Sequence, residues 1–285
     1  MKWQGRRRSR NIEDRRGRAG RTRRSAGGIG GVGLIVVLVV GYFLGIDVTP
    51  LLNSQGGAPV QQSTNDLSVA DQQAGEFVSV TLADTEEVWA SIFDSQVGRD
   101  YQPATLVLFK NATQSPCGSA SGATGPFYCP ADRKAYLDTA FFTTLSRQLG
   151  ASGDFAAAYV VAHEIAHHVQ NELGILGQAN QIRRQVSEVE SNAISVRIEL
   201  QADCYSGIWA REAQARFGSI ERGDLEEAVN AARQIGDDTL QRNAGRRPMP
   251  HTFTHGTSAQ RAAWFQRGYQ SGRLEDCDTF GASQL

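Results

Sequence analysis

The feature that most constrains this chain is a run without charge. Residues 29–46 (IGGVGLIVVLVVGYFLGI) place eighteen uncharged residues in succession. That length meets the lower bound for a membrane-spanning helix. Its glycines weaken a helix in water but are tolerated in lipid. Tyr42 and Phe43 stand near the far end, where aromatic rings favour a membrane interface. The run separates two halves of opposite charge. Residues 1–24 hold eleven basic side chains against Glu13 and Asp14, and residues 25–285 hold eighteen basic against twenty-eight acidic. A formal net charge of -1 therefore averages +9 and -10. Such polarisation excludes one uniform globule. The lack of a second long apolar run excludes a polytopic membrane protein.

Residues 1–28 form a basic arm with few apolar side chains, expected to be disordered because it cannot bury enough surface to offset chain entropy. Arg-rich segments also bind nucleic acid. Beside an apolar run, the same arginines read as a topology signal: arm in the cytoplasm, the rest outside. No nucleic-acid partner is expected. No A-x-A cleavage site follows closely after residue 46, so an uncleaved single-pass anchor is favoured over a signal peptide. Residues 47–75, rich in Asn, Ser, Gln, Gly and Pro, read as a flexible tether. Residues 76–285 remain as the outer domain.

Cys117, Cys129, Cys204 and Cys277 all follow the apolar run. Their even number and expected oxidising side point to disulfides. Four cysteines allow three pairings. A local Cys117–Cys129 bridge would close the stretch CGSASGATGPFYC, and Cys204–Cys277 would then tie a helix to the C-terminal tail. A zinc cluster of these thiols is disfavoured, since no C-x-x-C pair occurs.

Residues 81–96 read as a helix capped by Asp84. The β-branched, apolar TLVLF (105–109) and the weakly alternating KAYLD (134–138) read as strands. Residues 139–149 read as a short helix. Residues 154–173 are apolar on most faces, so they predict a buried helix, capped by Ser152 or Asp154 and stopped by Gly174. Helices are also expected at 188–217, 224–235 and 258–269, the last capped by Ser258, with a loop at 237–250. The fold class is α+β: mostly helical with a small sheet.

The buried helix carries His163-Glu164-Ile165-Ala166-His167. Histidines at i and i+4 face one side of a helix and can grip one Zn²⁺. Glu164 can then act as general base toward a metal-bound water. Charge and imidazole in a core are costly unless paired or metal-bound. His168 lies off that face and reads as a solvated or core-satisfied side chain. Thirty-two residues beyond His167, Glu199-Leu200-Gln201-Ala202-Asp203 sets two carboxylates on one helix face. The plain alternative is a solvated acidic face. Beside the histidines, Glu199 is the candidate third ligand, and Asp203 the group that fixes a ligand histidine's tautomer.

His163-Glu-x-x-His167 with Glu199-x-x-x-Asp203 resembles the gluzincin arrangement. VVAHEIAHHVQ, RIELQADCYSGIWA and CGSASGATGPFYCPADRKAYLDTAFF are similar to the bacterial, membrane-anchored neutral zinc metallopeptidase family, over residues 76–280. The resemblance implies a zincin-like α+β domain with His163, His167 and Glu199 on zinc and Glu164 as base. Thr254-His255-Gly256-Thr257-Ser258 with Arg261 is similar to the T-H-P…R segment of membrane-linked gluzincins, with Gly256 where those have Pro. His255 or His251 is the candidate donor to a tetrahedral oxyanion. Both are equally readable as loop histidines. Tyr136 is a weaker candidate for the rim of a cleft.

These observations predict a membrane-anchored zinc endopeptidase on the extracytoplasmic face, acting on protein or peptide. The alternative is a catalytically silent zincin-fold module on the same surface.

Overall fold

The computed structural model describes residues 1–16, 67–121 and 125–285. The expected span at 29–46 lies outside the described residues, as do most of the expected tether and the end of the arm. Among the described residues no helix is long and apolar enough to cross a membrane.

Helix α1 (Val69–Ile92) starts well before the expected residue 81. Ser68 caps it: the hydroxyl accepts from Asp71 N, and Asp71 answers the Ser68 backbone. The helix therefore consumes the last residues of the expected tether. Asp84, expected as a cap, sits mid-helix and is buried. It is ion-paired to Arg6 at 2.5 Å. Burial outweighs that pairing and pushes its pKa up to about 6.

The sheet has the order β1-β2-β6-β5. Strand β1 is Ile12–Asp14. Strand β2 is Thr105–Phe109, as expected. A hairpin of β3 (Ala112–Ser115) and β4 (Gly118–Ser121) follows. Strand β5 is Phe127–Cys129, and β6, again as expected, is Lys134–Asp138. β1–β2 and β2–β6 are parallel, whereas β5 runs antiparallel to β6. Tyr136 on β6, a candidate for the rim of a cleft, is buried. Its ring stacks on Phe127 and its hydroxyl donates to Asp132 Oδ2 at 2.6 Å.

The helices continue with α2 (Phe141–Arg147), α3 (Asp154–Glu172) and α4 (Ile175–Arg183), then α5 (Glu188–Phe217) and α6 (Asp224–Gln234). The last two are α7 (Asp237–Asn243) and α8 (Ser258–Ser271). Helix α3 starts after Gly153, with no side-chain cap from Ser152. The cap of α8 is Thr257 rather than Ser258. Helix α7 falls in the expected loop, and α4 was not expected.

Helix α3 is buried over most of its length, between α1, α5 and the sheet. Helices α5 and α8 cross backbone against backbone. A Cβ added at Gly207 would overlap Phe265 O, and one at Gly268 would overlap Cys204 O. The disulfides Cys117–Cys129 and Cys204–Cys277 both form. The second fastens the C-terminal tail beside that crossing.

The expectation of a disordered arm is corrected for residues 1–16. β1 completes one edge of the sheet, with Ile12 opposite Leu106 and Asp14 opposite Leu108. Trp3 meets the edge of Phe77 with centroids 5.5 Å apart. Ser9 N donates to Ser79 O at 2.9 Å, and Ser79 Oγ returns a bond to Ser9 O. Lys134 reaches Glu13 at 2.7 Å, and with Arg15 it holds the Glu13 carboxyl down at about 2. The Met1 ammonium lies among Asp154 (2.9 Å), Asp224 (3.1 Å) and Glu221 (3.2 Å). It therefore fills the acidic cluster of Asp154, Asp224 and Glu227. The arm has little apolar surface of its own, but an acidic body supplies the partners its entropy cost requires.

Candidate metal centre

Helix α3 and helix α5 meet with His163, His167 and Glu199 between them. One α-helical turn separates the two histidines, so both rings leave α3 on one side, with centroids 4.8 Å apart. His163 Nε2 lies 3.0 Å from Glu199 Oε2, and His167 Nε2 lies 3.5 Å from Glu199 Oε1. Donors held tetrahedrally at zinc distances stand about 3.3 Å apart. The separations fit that group, and so does the donor set of two imidazoles and a carboxylate.

The outer nitrogen of each ring faces an oxygen, His167 Nδ1 in a hydrogen bond and His163 Nδ1 at ion-pair distance. His163 Nδ1 stands 3.0 Å from Asp203 Oδ1. His167 Nδ1 stands 2.9 Å from Gln170 Oε1. Both contacts place an acceptor at Nδ1, so a metal on Nε2 would leave the hydrogen on Nδ1. Gln170 is itself buried and donates to Ile198 O at 2.8 Å and Gln201 Oε1 at 3.0 Å.

Asp203 is fully enclosed. Arg261 of α8 forks onto it, Nε to Oδ2 at 2.8 Å and Nη2 to Oδ1 at 3.0 Å. The Tyr159 hydroxyl also donates to Oδ1. Burial would raise the Asp203 pKa, but Arg261 and His163 hold it below the carboxylate range. Burial likewise opposes charge on His163, yet Asp203 and Glu199 outweigh it and lift that ring to about 9. Glu199 shows the same competition: His167, His255 and His163 overcome burial and hold its pKa well down.

Glu164 points the other way electrostatically. Burial raises its pKa, against the pull of His167 and His163. Its Oε2 is buried and has no hydrogen-bond partner. An orphaned carboxylate oxygen beside three metal donors is a seat for a proton-bearing group.

His255 enters from the loop between α7 and α8. Its charge is felt by both Glu199 and Glu164. Its backbone N donates to Asp237 Oδ2 at 2.6 Å, and Gly256 N donates to the same oxygen at 3.0 Å. Asp237 thus collects the loop beside the site. Gly256 has φ +91°, which proline cannot reach, so the departure from T-H-P has a backbone cause. His251 lies in a short 3-10 turn, Pro250–Thr252, and its carbonyl accepts from Asn192 Nδ2. His168 is a core histidine, bonded through Tyr128 and the Gln102 carbonyl.

The sequence reading missed Tyr159, Gln170 and Asp237. Gln170 had a signal, since it stands three residues after His167 on one helix. The other two act across long separations.

The sequence of the chain matches a known family. The model described as "Putative neutral zinc metallopeptidase" matches residues 1–280. The uncharacterized protein YpfJ of Escherichia coli K12 is 47% identical over 292 residues, covering 99% of this chain and 100% of the relative. The uncharacterized protein Rv2575 of Mycobacterium tuberculosis H37Rv is 45% identical over 195 residues, 65% of each chain. No solved structure matches significantly. With the family model spanning nearly its full length, this chain belongs to the neutral zinc metallopeptidase family.

Proposed function

We propose that the chain is a zinc-dependent endopeptidase whose body works on the side where disulfides form. Bound zinc at His163, His167 and Glu199 would supply Lewis acidity at neutral pH. Glu164 Oε2 takes a proton from the attacking water and returns it to the leaving nitrogen. Asp203 and Gln170 hold the two imidazoles in the tautomer that leaves Nε2 available. His255, on a loop pinned by Asp237, donates toward the oxyanion that develops on the carbonyl.

The observation that carries this reading is the unpartnered, buried Oε2 of Glu164 beside three gathered donors. A purely structural zinc site takes four protein ligands and has no use for such a group. The paired cysteines support the oxidising side.

The test is Glu164→Gln, assayed with an internally cleavable peptide library and by metal content. Stoichiometric zinc should remain, while turnover falls by roughly 10²–10⁴-fold, the range for a general base. Undiminished cleavage in the variant would overturn the reading.

A further inference from the structure

The docked arm limits how this chain can meet a membrane. Residues 1–16 and the described residues from 67 onward form one body: β1 is a strand of the same sheet as β2, β5 and β6. The two ends of segment 17–66 are joined on α1. Arg16 Nη1 donates to Asp71 O, and the same guanidinium lies against Gly75. Arg15 N donates to Leu108 O at 2.8 Å one residue earlier.

A segment that crosses a bilayer once delivers its two ends to opposite sides. A segment that leaves and rejoins one body crosses an even number of times, or not at all. Two crossings need two apolar stretches of about 20 residues each. Segment 17–66 has one predominantly apolar stretch of that order, around residues 29–46; the other uncharged stretch, 48–65, is mostly polar. Three of the arm's arginines are engaged by the body or by the arm itself. Arg6 pairs with Asp84, Arg8 with Glu76, and Arg15 with Glu13.

We propose that residues 1–16 and the body lie on the same side of any bilayer the chain meets. The arm is a component of the fold rather than a cytoplasmic tail. With the disulfides, this places the N-terminus on the oxidising side together with the metal centre.

Lysine labelling of the full wild-type chain tests this directly. The chain has three lysines: Lys2 on the arm, and Lys110 and Lys134 on the body. Lys2 and Lys110 are both exposed. Intact cells expressing the chain would be treated with a membrane-impermeant amine reagent, before and after permeabilisation, and the peptides mapped by mass spectrometry. Lys2 and Lys110 should behave alike, both labelled before permeabilisation or both only after it. Labelling of one before and the other only after overturns the proposal. The readout needs no catalysis, so its failure and that of the peptidase reading are separable.

Discussion

At the residue scale the centre depends on how the imidazoles are oriented. Asp203 is held so firmly, by Arg261 and Tyr159, that removing its partners would leave a buried charge and unfold more than the site. Gln170 is the cleaner probe. Its Oε1 fixes the His167 tautomer, and its amide ties α3 to the Ile198 carbonyl. Gln170→Ala should weaken zinc binding by roughly 10–100-fold, the usual effect of losing a ligand's outer partner. Chelator competition measures it, and an unfolding curve of the same variant separates it from loss of fold. Unchanged zinc affinity would show that His167 needs no orienting group. The histidine pair and Glu164 were legible because a helix repeats its face within four residues. Tyr159 was not, because its partner Asp203 lies 44 residues away; Arg261 was named through the resemblance, but its contact with Asp203, 58 residues away, was not foreseen.

At the element scale the α5–α8 crossing sets Arg261 against Asp203. Alanine inside a helix is favoured over glycine by about 0.5–1 kcal/mol. At Gly268 an added methyl would overlap Cys204 O, and overpacking of that kind costs about 1–3 kcal/mol. Gly268→Ala should therefore destabilise the protein, read as a lower urea midpoint. Gly177→Ala on α4 is the control. A Cβ there meets nothing within 4 Å, so the intrinsic preference should show as a small gain. The long helices α3 and α5 were expected with nearly their observed bounds, since their apolar pattern and terminal glycines are local. The start of α1 was misplaced because Ser68 and Asp71 form a capping box inside a segment whose composition reads as tether. Helix α7 was missed for a similar reason: the polar stretch 237–243 has little apolar face, and its place comes from Asp237 binding the His255 loop.

At the scale of the whole molecule the arm acts as a clasp, and its docking should respond to pH. The Met1 amine is raised from 8.0 to about 10: burial works against its charge, and Asp154, Asp224 and Glu221 overcome it. A raised cationic pKa stabilises fully below the unfolded value and is lost as pH climbs through the folded value. Docking should thus be intact below pH 8 and weaken from there through about 10. Hydrogen exchange of residues 1–16 across that window measures it. Protection unchanged at pH 10.5 would show that the ammonium contributes nothing.

By itself the sequence determined which groups could do chemistry and on which helix faces they stand, because helical and strand periods are written in neighbouring residues. It also supplied the resemblance that joined Glu199 to His163 and His167. Only the tertiary structure decided what the charges are for. The arginines of the arm looked like a membrane signal while their partners were unknown. Folded, Arg8, Arg6 and Arg15 meet Glu76, Asp84 and Glu13, and β1 joins the sheet at its edge. A sequence displays each charge, but an ion pair exists only once distant segments are brought within reach of each other.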